Sequence, residues 1–79
     1  MPTTPSLEQA VRARLERYFS DLDGAEPHDM LAMVLHCAER PTLEVALEKS
    51  GGNLSRAAKM LGVTRSTLRK KLLAHQLAS

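Results

Sequence analysis

The chain has two aromatic residues, Tyr18 and Phe19, and no tryptophan. That scarcity argues against reading single strands or RNA by base stacking, which needs exposed aromatic platforms. The single cysteine, Cys37, permits no internal disulfide. With no signal-peptide pattern, one thiol fits a reducing, cytoplasmic setting. No apolar run approaches the ~20 residues that a membrane-spanning helix needs. Strand patterns, internal repeats and low-complexity segments are also missing. Acidic residues are absent from the last thirty-one positions, Lys49 to Ser79, which hold seven lysines and arginines. A chain of 79 residues makes one domain and buries a limited fraction of its surface. With disulfides excluded, oligomerisation is the expected source of extra stability.

The charge that is present is polarised. Residues 1 to 40 carry four cations and seven acids, net −3, whereas residues 41 to 79 carry seven cations and two acids, Glu44 and Glu48, net +5. An acidic half is repelled by phosphate, so a nucleic-acid face belongs to the C-terminal half.

Periodicity predicts an all-α chain of four helices. Residues 1–5, with two prolines and two threonines, read as a disordered start. Ser6 and Gln9 have capping-box spacing, and Leu7, Val11, Leu15, Tyr18 or Phe19, and Leu22 form one apolar stripe. Asp23-Gly24 and Pro27 end that helix. A second helix is expected to begin at Pro27 to Asp29, with Asp29 in its first turn. The run from Met30 to Ala38 is apolar nearly all round, which calls for burial on more than one side. A second copy of the chain is the expected cover, with Met30, Val34, Leu35, Ala38 and Leu43 at the dimer interface. Pro41 interrupts the pattern, and the residues alone slightly favour two helices over one kinked helix there. Residues 6–48 are thus the dimerisation part and 49–79 a DNA-binding unit.

In that last unit Gly51 or Gly52 can close one helix and Asn53 can cap the next. Ala57, Ala58 and Leu61 share an inner face, Gly62 makes a turn, Val63 packs inward, and Thr64 caps a final helix anchored by Leu68 and Leu72. A small residue, a glycine four positions on, and apolar anchors after it suit a helix–turn–helix. Arg65 then lies in the first turn of the second helix with Arg69 four residues on, placed for guanine edges. Ser66 and Thr67 offer hydroxyls to bases or phosphates, and Asn53 and Ser55 can reach a phosphate beside free backbone N–H groups. Lys70 and Lys71 are read as phosphate neutralisers. A cationic last helix alone is as well explained by a solvated face and the helix dipole; the turn motif favours double-stranded DNA.

The segment Asn53 to Leu72, ending in Thr67-Leu-Arg-Lys-Lys-Leu72, resembles the DNA-binding end of the Fis (factor for inversion stimulation) family, and enhancer-binding activators share that helix–turn–helix. Tyr18-Phe19, the Leu22-Asp-Gly24 turn, Val34-Leu35 and Glu39-x-Pro41 extend the similarity over about residues 6 to 76. The resemblance implies an intertwined homodimer of four-helix subunits in which one long kinked helix passes through Pro41. It implies a bacterial nucleoid-associated transcriptional regulator that bends DNA, because the family's two recognition helices sit closer than one duplex turn and deformability then carries specificity. The family's contacts map onto Arg65, Arg69, Lys70 and Lys71, with Thr67, Asn53 and Ser55 at the backbone. There are departures. Thr64 replaces the family's usual asparagine, which shortens one contact. The loop that in Fis meets RNA polymerase reads Glu48-Lys-Ser-Gly-Gly52, with reduced charge, which weakens the case for that partner. No counterpart of the long arm that activates invertases is present, so invertase stimulation is not expected.

His36 and Cys37 are adjacent, so they point to different sides of a helix and, with no further ligand at helical spacing, make no metal site. Cys37 is expected to be a small buried hydrophobe, His28 and His75 surface residues, and Met30, Met33 and Met60 core filler. No catalytic constellation, cofactor motif or small-molecule site is found, so the chain is not read as an enzyme. Two alternatives remain: the detached C-terminal module of an enhancer-binding activator, and a helical protein-interaction dimer with a cationic surface.

Overall fold

The computed structural model describes residues 6–78; the start expected to be disordered, 1–5, lies outside them. Helix α1 spans Leu7–Leu22, α2 Met30–Lys49, α3 Leu54–Leu61 and α4 Arg65–Ala74, with no strand among the described residues. The chain divides into two compact units, Met1–Val34 and Leu35–Ser79.

In the first unit the capping box forms as the spacing requires. The Gln9 backbone N–H donates to Ser6 Oγ (3.1 Å), and the Ser6 N–H donates to Gln9 Oε1 (2.8 Å). Two orphan N–H groups at the start of α1 are thereby satisfied. Asp23 leaves the helix in the left-handed region (φ +51), which a short polar side chain tolerates. The apolar stripe of α1 is not covered. Leu7 and Phe19 are exposed, and with Val11, Leu15 and Met30 they line a groove of about 790 Å³.

Helix α2 begins later than the sequence suggested. Asp29 is not in its first turn but precedes it at φ +55, its carbonyl accepting the first helical bond from Met33 N–H. The helix is continuous through Pro41, correcting the residue-level preference for two helices. Proline removes the N–H that would reach the Cys37 carbonyl. Both residues are exposed, and one position on Thr42 Oγ1 donates to the Ala38 carbonyl at 2.7 Å.

The second unit packs the end of α2 against α3 and α4. Its core is Leu43, Ala46, Ala57, Ala58, Leu68 and Leu72, flanked by Leu47, Leu54, Leu61, Val63 and Leu77. Leu43, expected at a dimer interface, is 3 % exposed in the single chain and belongs to this internal core. The alanines let helices approach closely, and Leu68, with no exposed surface, fills the space between them. Three helices end in one way. Gly52 N–H reaches the Leu47 carbonyl and Gly51 N–H that of Glu48; Val63 and Gly62 repeat the pattern on Ala58 and Lys59, and Leu77 and Gln76 on Leu72 and Leu73. This is the Schellman arrangement, whose penultimate residue must be left-handed. Gly51 and Gly62 provide that at φ +64 and +76, and Gln76 does so at +58.

Candidate nucleic-acid interface

The two short helices of the second unit meet at Gly62-Val63-Thr64, and each is capped by its expected residue. Arg56 N–H donates to Asn53 Oδ1 and Thr67 N–H to Thr64 Oγ1, both at 3.1 Å. These caps commit the acceptors of Asn53 and Thr64. The backbone N–H groups of Ser55 and Ser66, in the first turns, have no partner among the described residues. Free N–H groups at a helix start, with the positive end of the helix dipole, suit an anion.

Arg65, Ser66, Arg69 and Lys70 are exposed on α4, and Asn53 and Ser55 on the approach to α3. Arg65 Nη1 donates to Ser55 Oγ at 3.3 Å, so the two helix starts form one polar surface. Thr67 is half-buried and its hydroxyl accepts from Thr64 Oγ1 at 3.0 Å. Sequence reasoning left out Arg56 and Lys59, which are also exposed on α3; the acid-free composition of the segment was the available signal. Arg56, Lys59, Arg65, Arg69 and Lys70 form no ion pair among the described residues.

Lys71 departs from that surface. Three residues after Leu68, it lies on the inner edge of α4 and its ammonium pairs with Glu39 Oε2 of α2 at 2.7 Å. The other carboxylate oxygen, Oε1, is 3.0 Å from Nε2 of His75. His75, expected at the surface, is 3 % exposed and stacks on His36 with ring centres 4.1 Å apart. Its Nε2–H faces the carboxylate, leaving Nδ1 buried without a partner. Arg40 donates to the His75 carbonyl. Hydrogen bonds from Lys71 and then His75 hold the Glu39 carboxyl below its ordinary range, against a smaller opposing effect of burial. Cys37 and Met60, expected inside, are exposed in the single chain. No cluster of metal-ligating side chains occurs among the described residues, and no helix there is long and apolar enough to cross a membrane.

Residues 37–75 match the model of a bacterial regulatory protein family, the Fis family. A Fis-like protein of Neisseria meningitidis serogroup B is 51% identical over 75 residues, 95% of each chain. The DNA-binding protein Fis of Actinobacillus succinogenes is 44% identical over 70 residues, 89% of this chain and 71% of that one. The DNA-binding protein Fis of Proteus vulgaris is 40% identical over 70 residues, 89% of this chain and 75% of that one.

Proposed function

The chain belongs to the Fis family of bacterial regulatory proteins, and on that premise we propose that it is a homodimeric protein that binds and bends double-stranded DNA in the bacterial cytoplasm, acting on the nucleoid and on transcription. The observation that carries the reading is the set of exposed cations on α3 and α4, unpaired among the described residues, in a segment without an acid. Arg65 and Arg69, one turn apart, contact base edges in the major groove. Asn53, Ser55, Thr64, Ser66, Thr67 and Lys70 serve the phosphate backbone. Lys71 is set apart from this group by its pairing with Glu39.

The second copy is the occupant of the uncovered apolar surface. Leu7, Phe19, Leu31 and Leu35 leave between 48% and 76% of their surface in water, more than a small chain without a disulfide comfortably exposes. Met30, Val34 and Ala38 are assigned with Leu35 to the dimer contact.

The test is a titration of a short duplex with the wild-type chain, Arg65→Ala and Lys70→Ala. Arg65→Ala weakens a preferred site more than random duplex, and Lys70→Ala weakens both alike. Equal behaviour of the two variants refutes the division of roles, and absence of any complex at low salt refutes DNA binding. Sedimentation at micromolar concentration should give twice the chain mass; a stable monomer refutes the dimer. Fragments with the site at different positions should migrate differently if the duplex is bent.

A further inference from the structure

The strongest polar contacts in the second unit lie away from the exposed cations. One carboxylate, Glu39, engages two side chains of α4 through its two oxygens, Lys71 at 2.7 Å and His75 at 3.0 Å. Those two residues are four apart, about 6 Å along the helix axis. The neighbouring Arg40 donates to the His75 carbonyl at the end of the same helix, and His36, one turn earlier on α2, stacks on the His75 ring. Three residues of α2 within about one turn thus hold one edge of α4 at several points.

The apolar contacts cannot do this alone. Leu68 and Leu72 bury α4, but hydrophobic burial is non-directional and sets the roll of a helix less sharply than hydrogen bonds do. A bidentate carboxylate with donors one turn apart fixes both the roll and the axial position. At about 100° per residue, Lys71 and His75 lie about 120° around α4 from Arg65 and Arg69. Fixing one edge therefore fixes the aim of the other.

We propose that Glu39 is a positioning residue for sequence recognition: without touching DNA, its carboxylate sets the orientation of α4 through Lys71 and His75 and so aligns Arg65 and Arg69 with base edges. The proposal rests on α4 being the recognition helix. It assigns Lys71 to the support of that helix, with its charge already neutralised, and makes an acidic residue of α2 a determinant of specificity.

The probes are a duplex that the wild-type protein enriches from a random-sequence pool and the unselected pool itself. The readout is the ratio of their affinities, with helix content and melting temperature followed in parallel. Glu39→Gln keeps an acceptor for His75 but loses the charge that holds Lys71. It is expected to lower the ratio about tenfold, within what one aligned arginine–guanine contact supplies, while the protein stays helical. Lys71→Met, which leaves Glu39 and His75 in place, lowers the ratio similarly, and the double variant is no worse than either single one. Should Glu39→Gln not fold, Lys71→Met alone decides.

An unchanged ratio overturns the proposal. So does a tighter grip on both duplexes by Glu39→Gln with a salt dependence steeper by about 0.9 per freed lysine, which would make Glu39 only a charge sink. A uniform loss for Lys71→Met with a correspondingly shallower salt dependence makes Lys71 a phosphate contact and overturns it as well. Failure of the wild type to enrich any sequence also counts against it, since a helix with no fixed aim needs no positioning. Failure of the wild type to bind either duplex at low salt removes the DNA reading itself, a different result from any of these.

Discussion

Raising the salt should release this protein from a duplex steeply, and the structure sets how steeply. Each chain exposes five cations on α3 and α4 that pair with no carboxylate among the described residues: Arg56, Lys59, Arg65, Arg69 and Lys70. Two of them, Arg65 and Arg69, are assigned to base edges, leaving three for phosphates. In the proposed dimer about six phosphates would then be neutralised, and at about 0.9 counterions released per contact the slope of log K against log salt is about −5. Between 50 and 200 mM salt the affinity should fall about a thousandfold. Fluorescence anisotropy of a labelled duplex of about 30 base pairs, repeated at four or five salt concentrations, measures the slope directly. A slope shallower than about −2 would refute the electrostatic reading, because fewer than one phosphate per recognition helix would remain after the apolar and base contacts. A slope near −7 would show two further cations engaged per dimer, such as Lys49, which is exposed, or Lys71 released from Glu39.

Other consequences concern the fold. Gly62→Ala places a side chain at φ +76 with no neighbour within 4 Å of the added Cβ, so the cost is backbone strain without a clash, about 1 kcal/mol in a denaturant titration; no loss would mean the turn relaxes. Leu68→Ala removes a side chain with no exposed surface and should cost about 2–5 kcal/mol, enough to broaden or abolish the thermal transition of so small a chain; a change under about 1 kcal/mol would contradict the central role of Leu68 in the core. Thr64→Ala deletes a cap that accepts the Thr67 N–H and should cost about 1 kcal/mol of stability, read by the same titration. Acid should act through Glu39, whose folded carboxyl titrates below the ordinary 4.5 because Lys71 and His75 hydrogen-bond its anion. Its contribution is complete above that ordinary value and is lost as the pH falls through the lower folded value. The melting temperature of Glu39→Gln should therefore approach that of the wild type as the pH is lowered toward 3, and a gap that widens in acid would refute the sign.

What could be read without the structure was whatever is settled within four residues along the chain. The caps of Ser6, Asn53 and Thr64 and the turn at Gly62 each depend on a bond to a near neighbour, and spacing announces them. The inner faces of α3 and α4 followed from periodicity for the same reason. The clamp on α4 was not legible, because its bonds join residues 32 to 36 positions apart. Lys71 looks like any lysine of a basic helix until α2 supplies a carboxylate on its inner side, and His75 looks exposed until the His36 ring of α2 covers it. Its distance of seven from Leu68 was the one hint that it faces inward. Pro41 misled for a physical reason too: the carbonyl it orphans belongs to Cys37, a residue exposed in the single chain, so the proline weakens the helix without ending it. The late start of α2 turns on a left-handed Asp29, a conformation that no spacing rule demands.

The way the helices close gives the molecule a built-in order of failure. Glycine relieves the left-handed residue after α2 and after α3, but glutamine occupies the equivalent position after α4, where a side chain costs roughly 1 kcal/mol or more. Unravelling should therefore begin at Gln76 and Leu77, beyond the last helix, and stop at His75 while its ring remains wedged between Glu39 and His36. The turn that closes the last helix is in this sense a fuse. It can melt in a warm cell and reform without disturbing the arginines a turn and more away, and a single glycine in place of Gln76 would remove it.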